Sequence, residues 1–217
     1  MRKLLWFCFF ITLSQLSYSQ QPPFWNDVQS FKKQDSASMP PKNIILFIGS
    51  SSFTNWKDVR EYFPNKPILN RAFGGSTLPD LIRYKQDIVY KYQPKQVVIY
   101  CGENDFASSD TVSVNTVVTR FKQLFGLIRS KHKNVPIAYV SMKPSPSRKN
   151  LMPKYVAANN AIKSFLQGFK HTVFIDVYQS MLNADGTPKA DIFVSDNLHM
   201  NAKGYAIWQK IMQPHLL

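Results

Sequence analysis

Five short apolar runs constrain the fold of this chain more than any other feature. Each is rich in β-branched or aromatic residues without regular alternation of polar ones, and together they cover residues 44–48, 67–69, 97–100, 137–140 and 173–177. Uninterrupted apolar runs of this length are typical of strands buried on both faces, as in a parallel sheet. The sequence therefore predicts a parallel sheet of five strands.

Segments with helical periodicity separate these runs. Apolar residues recur every three or four positions over residues 78–92, 112–131 and 155–169. A last helix follows Asn201, a favourable N-cap residue, and stops before Pro214. Alternating strands and helices are joined by right-handed crossovers, which place helices on both faces of the sheet. The predicted fold class is α/β, a three-layer α/β/α domain with a flavodoxin-like five-stranded parallel sheet.

The N-terminal residues 1–19 have the pattern of a secretory signal peptide. A basic start, Met1-Arg2-Lys3, precedes an almost wholly apolar stretch over residues 4–16, and small residues stand at Ser17 and Ser19. The apolar stretch is shorter than the ~20 residues that a membrane span requires. We expect cleavage after Ser19, a secreted or periplasmic location, and a mature chain without a membrane span.

The remaining chain is predicted to form one domain over residues 43–217, preceded by an irregular lead-in over residues 20–42. The full chain of 217 residues is 44% hydrophobic, which is sufficient for a full core. A short helix near residues 25–33 would dock on the domain through its aromatic side chains.

Cysteine and histidine give no sign of a metal site. Cys8 belongs to the predicted leader, so Cys101 remains alone and no internal disulfide can form. Cys101 follows an apolar run and is expected to be a small buried residue, with a catalytic thiol as the alternative. Three histidines lack acidic or cysteine partners at ligand spacing, namely His132, His171 and His215. We therefore expect neither a metal nor a cofactor.

The formal net charge of the chain is +14, and loss of Arg2 and Lys3 with the leader lowers it by two, to +12. Such a charge favours anionic partners in general. The lysines are spread along the chain and no nucleic-acid-binding motif is present, so we expect no nucleic-acid partner. A soluble basic surface is the favoured interpretation, and a non-catalytic binding protein for acidic polysaccharide is an alternative.

A serine cluster follows the first apolar run. Gly49-Ser50-Ser51-Ser52 lies where the first strand would end, and open α/β sheets bind ligands at the carboxyl ends of their strands. A serine displayed on a tight turn after a strand can act as a nucleophile, which makes Ser51 the candidate. Serines that hydrogen-bond to nearby backbone in a loop are the common alternative.

Three further clusters follow predicted strands or precede the last helix. Gly74-Gly75 lets the backbone approach a ligand closely, and Asn104 can direct its amide into the same crevice as Ser51. Both are also common turn residues. Asp196 stands three residues before His199, so its carboxylate can hydrogen-bond the ring Nδ1–H and leave Nε2 free to accept a proton. Capping of a turn by Asp196 is the alternative.

In the order of these four clusters, the chain resembles the SGNH hydrolases, also called GDSL-type esterases and lipases, from residue 44 to residue 208. The resemblance implies a catalytic triad at Ser51, His199 and Asp196. It also implies an oxyanion hole formed by Ser51, Gly75 and Asn104. Ser50 and Ser76 stand where the family frequently has aspartate, and the first of these departures leaves the choice among serines 50–52 open.

The resemblance also implies a carboxylic ester hydrolase that acts on a small ester or an acylated carbohydrate. No long apolar insertion is present that could clamp a fatty acyl chain, so short acyl groups, acetyl especially, are expected. Export and a basic surface favour decorated polysaccharides. Arg71 and Arg148 are candidate substrate-binding residues, with solvated arginines as the alternative. An acyltransferase on the same fold is the rival activity.

Overall fold

A computed structural model describes residues 21–217 of the chain. The predicted signal peptide and its cleavage after Ser19 lie outside these residues. None of the helices within residues 21–217 combines the length and the apolar character that crossing a bilayer requires.

The centre of the fold is an all-parallel sheet of five strands. Its strands are β1 (Ile44–Gly49), β2 (Ile68–Asn70), β3 (Pro94–Tyr100), β4 (Ile137–Val140) and β5 (Thr172–Ile175). Their order across the sheet is β2-β1-β3-β4-β5, which is the flavodoxin-like order. The fold class predicted from the apolar runs is confirmed.

Helices cover both faces of this sheet. Within the described residues they are α1 (Trp25–Ala37), α2 (Ser51–Thr54), α3 (Val59–Tyr62), α4 (Leu78–Arg83), α5 (Glu103–Ala107), α6 (Val114–Lys131), α7 (Met152–Gln167) and α8 (Ala202–Met212). One apolar core lies between the sheet and α4, α6 and α7, and includes Phe121 and Tyr155. A second core lies on the opposite face under α8 and includes Trp56 and Trp208.

The carboxyl ends of β1 and β3 form the point where the strand order reverses, and ligands bind at such points in open α/β sheets. Gly49 pairs with Tyr100 there. Its φ is +146°, and a Cβ at this position would lie 1.9 Å from the carbonyl oxygen of Tyr100. Only glycine fits, because any side chain would collide with the β3 backbone. The chain then turns directly into Ser51 at the start of α2.

Two predicted helices and one predicted cap are confirmed with small changes of boundary. The helix expected over residues 112–131 is α6, and the one expected over residues 155–169 is α7, which begins at Met152. Asn201 caps α8, since its side chain accepts hydrogen bonds from two backbone N–H groups of the first turn.

The helix predicted over residues 78–92 is wrong as a single element. Helix α4 ends at Arg83, and a separate π-helical segment covers Gln86–Tyr90. The break falls at Tyr84, whose hydroxyl donates to the carbonyl oxygen of Pro23 at 2.7 Å and whose ring packs edge-on against Phe73. These are contacts with distant parts of the chain, which helical periodicity does not encode.

The lead-in is mostly helical rather than irregular, because α1 covers Trp25–Ala37. Its docking uses Phe24, whose ring lies 5.1 Å from that of Phe73, while Trp25 stays 36% exposed. At its other end, Asp35 forms a buried ion pair with Arg71 at 2.5 Å. Helix α1 is therefore fixed to the segment that leads from β2 to the glycine pair.

Candidate active site

Ser51 differs from its two serine neighbours in burial. The side chains of Ser50 and Ser52 are 4% and 2% exposed, whereas Ser51 is half-buried and lines a cavity of about 350 Å³. The strand β1 and the turn at Gly49 place Ser51 at the first position of α2. Of the three adjacent serines among which the sequence left the choice open, Ser51 is the one that lines the cavity.

Residues from five separate segments line this cavity. They are Ser51 and Asn55 after β1, Gly74 and Gly75 after β2, Asn104 after β3, Arg148 after β4, and Leu198 and His199 before α8. Because parallel strands end at the same edge of the sheet, residues far apart in the sequence converge there. The structure thus brings together Ser51, Gly75, Asn104 and His199, which the resemblance places in the triad or the oxyanion hole, and adds Arg148 beside them.

Asp196 lies behind His199 and fixes its ring. The carboxylate Oδ2 is 2.6 Å from the ring Nδ1, and Oδ1 accepts hydrogen bonds from the backbone N–H groups of Leu198 and His199 at 2.8 and 2.9 Å. Asn197 adopts a left-handed conformation with φ 57°, which closes this tight turn. With Nδ1 engaged, Nε2 is the ring nitrogen that remains to exchange a proton.

The same hydrogen bonds keep Asp196 ionised. Partial burial acts to raise the pKa of Asp196, but the bonds from the backbone and ring of His199 and from the backbone of Leu198 outweigh it. The pKa falls to about 2. Asp196 is therefore a carboxylate at every pH at which an esterase is commonly assayed.

Asn104 lies in the first turn of α5, and both ends of its amide are engaged. Nδ2 donates to the carbonyl oxygen of Ser76 at 3.1 Å, and Oδ1 accepts from Nη2 of Arg148 at 2.9 Å. A side-chain amide has two N–H donors, so one of them remains for a group bound in the cavity. Gly75 has φ +83°, a conformation that favours glycine.

A family model matches most of this chain. The model of the GDSL-like lipase/acylhydrolase family matches residues 45–207, which span β1 to α8. The chain belongs to this family. It is therefore a carboxylic ester hydrolase, and the predicted resemblance is confirmed. No curated protein sequence is significantly similar to this GDSL-like hydrolase.

Solved structures share the fold of this GDSL-like hydrolase. A candidate acylhydrolase of Bacteroides fragilis superposes with a TM-score of 0.75 at 22% identity, over 88% of this chain and 96% of that one. A GDSL-like lipase of Bacteroides thetaiotaomicron gives 0.74 at 19% identity, over 87% and 96%. A variant acetyl-xylooligosaccharide esterase of Geobacillus gives 0.62 at 15% identity, over 79% and 93%.

A buried charged cluster lies next to Asn104 in this GDSL-like site, and no sequence pattern predicted it. Glu103 is 5% exposed and Lys143 only 1%. Oε1 of Glu103 accepts hydrogen bonds from the Tyr100 hydroxyl and, at 2.8 Å, from the backbone N–H of Lys143. Nζ of Lys143 lies 3.4 Å from Oε2. Burial lowers the pKa of Lys143, and Glu103 opposes this shift.

Arg71 is a correction to the predicted site. It does not line the cavity that holds Ser51, and it is 5% exposed. Its guanidinium donates to Asp35 at 2.5 Å and to the hydroxyl of Tyr92 at 2.7 Å. A buried cation requires such partners, so Arg71 holds α1 in place instead of contacting substrate in this crevice.

Cys101 is buried, as predicted, at 1% exposure. Burial raises the pKa of its thiol well above the ordinary value. Because the thiolate is the reactive form, a buried thiol with a raised pKa is poorly suited to the alternative role of a catalytic nucleophile. Within residues 21–217, no three side chains of histidine, cysteine, aspartate or glutamate lie close enough together to hold a metal ion.

Proposed function

We propose that this GDSL-like hydrolase is an exported serine esterase that removes short acyl groups, acetyl above all, from carbohydrates. The observation that carries the proposal is the convergence of Ser51, Gly75, Asn104 and His199 on one cavity, with Asp196 2.6 Å from the ring of His199. A binding protein would need none of these groups in this arrangement.

Ser51 is the proposed nucleophile. A serine hydroxyl is weakly nucleophilic near neutral pH and requires a neighbouring base. Nε2 of His199 takes the proton as Oγ of Ser51 attacks the ester carbonyl carbon, and the carboxylate of Asp196 stabilises the imidazolium that forms. His199 then protonates the leaving alcohol. A water molecule, activated by the same ring, attacks the acyl-enzyme and releases the acid.

The negative charge that develops on the carbonyl oxygen needs donors that are already in position. The proposed donors are the backbone N–H groups of Ser51 and Gly75 and the second N–H of Asn104 Nδ2. Ser51 is the first residue of α2, so its N–H is one of the donors that have no partner within the helix. Gly75 has a left-handed backbone conformation, and as a glycine it has no side chain that could cover its N–H.

The size of the cavity supports a short acyl group. About 350 Å³ is at the lower end of the range of ligand sites, and part of that volume must hold the alcohol side of the ester. The shared fold of the acetyl-xylooligosaccharide esterase is compatible with an acylated carbohydrate. The proposal that the protein is exported rests on residues 1–19, which have the sequence pattern of a secretory signal peptide.

A series of para-nitrophenyl esters tests the proposal. We expect the highest kcat/KM with acetyl or propionyl esters, release of acetate from acetylated xylan, and rapid labelling by a fluorophosphonate. Ser51→Ala should abolish ester hydrolysis, acetate release and labelling. Ser52→Ala, at the neighbouring serine, is the control and should still be labelled. A preference for acyl chains of about ten carbons or more would contradict the acyl specificity. Product analysis with an added sugar acceptor separates hydrolysis from acyl transfer.

A further inference from the structure

Arg148 lines the cavity, yet its guanidinium is engaged by two protein side chains, through a hydrogen bond to Asn104 and an ion pair with Glu103. We propose that Arg148 is a positioning residue that orients the side-chain amide of Asn104, and that it does not bind the substrate. The inference rests on the proposed function, in which Asn104 donates to the oxyanion.

The geometry around Asn104 fixes which end of its amide faces which partner. A guanidinium only donates hydrogen bonds, and a backbone carbonyl only accepts them. Nη2 of Arg148 lies 2.9 Å from Oδ1, and the carbonyl oxygen of Ser76 lies 3.1 Å from Nδ2. If the amide were rotated by 180°, Nδ2 would face the donating guanidinium of Arg148 and Oδ1 would face the carbonyl oxygen of Ser76. Neither hydrogen bond could then form. Arg148 and Ser76 together therefore keep an N–H of Nδ2 available to the cavity.

Arg148 is itself held by the buried carboxylate of Glu103. Its Nη1 lies 3.7 Å from Oε2 of Glu103, and the side chains are 19% and 7% exposed. The other oxygen of Glu103 is fixed by Tyr100 on β3 and by the backbone of Lys143. A guanidinium that is engaged by both Asn104 and Glu103 has little freedom to reach a substrate anion.

The residue before Arg148 ties the same segment to the other half of the site. The backbone N–H and the hydroxyl of Ser147 both donate to the carbonyl oxygen of Asn197, at 3.1 and 3.0 Å. Asn197 lies in the turn between Asp196 and His199. The backbone leaves helical geometry at Arg148, with φ −120° and ψ 29°. Two adjacent residues thus connect the proposed oxyanion donor with the proposed acid–base pair.

The first test compares Arg148→Met with Lys149→Met, which removes the same charge from an exposed neighbour on the same loop. With the neutral substrate para-nitrophenyl acetate, Arg148→Met should lower kcat roughly tenfold or more, because a displaced donor weakens binding of the transition state. KM should change less than about twofold. Lys149→Met should behave as wild type. A raised KM with unchanged kcat would overturn the proposal.

A double-mutant cycle shows whether Arg148 acts through Asn104. In an Asn104→Ala background the amide is absent, so Arg148→Met should cost almost nothing further. Losses that simply multiply would contradict the proposal. If Arg148→Met fails to fold by circular dichroism, Arg148→Lys replaces it, since it keeps the charge but loses the fork of donors. The same cycle then applies, with the same expected and contradicting results.

Chemical rescue supplies a readout that a purely structural role would not move. Guanidinium chloride, far below denaturing concentrations, should restore part of the kcat of Arg148→Ala, and sodium chloride at equal ionic strength should not. Absence of rescue in a folded Arg148→Ala, together with additive losses in the cycle, overturns the positioning role. Asn104→Ala alone reports on the proposed function: if it keeps full kcat, the oxyanion role of Asn104 fails, whatever Arg148 does.

Discussion

Asp196 and His199 form a local half of the candidate site, whereas Asn104 belongs to a half assembled from distant segments. The proposed acid–base pair is three residues apart, and the side chains of Asp196 and His199 are 46% and 28% exposed. Asn104 depends instead on Ser76 from one loop and Arg148 from another. A local turn survives small shifts of the fold, but a donor held by distant partners does not. We therefore expect the two halves to respond differently to substitution.

The largest effect is expected at the local half. His199→Ala removes the proposed base and should lower kcat on the order of 10⁴-fold or more, because the Ser51 hydroxyl then lacks a proton acceptor. Steady-state hydrolysis of para-nitrophenyl acetate measures the loss, and thermal unfolding should show little change since the ring is partly exposed. His171→Ala is a control outside the cavity. Retention of more than a tenth of wild-type kcat would contradict the role of His199.

Asn104→Ala should have the next largest effect. Loss of one oxyanion donor costs on the order of 100-fold or more in kcat in other serine hydrolases. KM for a neutral acetyl ester should stay nearly constant, because the donor acts on the transition state. Asn104→Asp keeps the shape but replaces the donor with an acceptor, so it should be at least as impaired. Near-normal kcat in Asn104→Asp would show that the N–H is not used.

A third prediction concerns the buried ion pair between Asp35 and Arg71, which fixes α1 to the segment between β2 and Gly74-Gly75. Asp35→Asn leaves Arg71 without its carboxylate partner and should lower the free energy of unfolding by about 3 kcal/mol. The exposed pair between Lys203 and Asp191, with side chains 69% and 66% exposed, is the matched control. Lys203→Met should change the free energy of unfolding by less than about 1 kcal/mol. Urea unfolding measures both, and equal losses would contradict the structural role of the buried pair.

The smallest expected effect is a pH dependence of stability at Asp196. Its pKa is lowered to about 2 from an ordinary value of 3.8, so the folded state favours the carboxylate. The resulting stability is fully present above the unfolded-state pKa and is lost as the pH falls towards 2. The urea midpoints of wild type and Asp196→Asn should therefore differ by a constant amount from pH 6 to 8, and this difference should shrink below about pH 4 and vanish only near pH 2. A difference that grows below pH 4 would contradict the assignment.

Much of the fold and part of the site could be predicted because their signals are local. Apolar runs identified all five strands, and Asn201 identified the start of α8. The pair Asp196 and His199 is readable from spacing alone, since both lie on one turn. The family pattern added Gly75 and Asn104, which would otherwise be ordinary turn residues.

Other features could not be predicted because they depend on partners that are far away in the sequence. Arg71 looked like a ligand-binding residue beside the glycine pair, but Asp35 of α1 engages it. Helix α4 stops at Tyr84, whose hydroxyl reaches Pro23. Nothing near Arg148 in the sequence indicates that Asn104 and Glu103 surround its guanidinium.

The sequence by itself determined the order of strands and helices, and hence the sheet edge at which the serine, glycine, asparagine and histidine clusters meet. Only the tertiary structure decided which of three serines reaches the cavity and how each arginine is used. The physical reason is that hydrophobic periodicity and turn chemistry act over a few residues. Burial of a hydroxyl or a guanidinium is set by side chains that arrive from elsewhere in the chain.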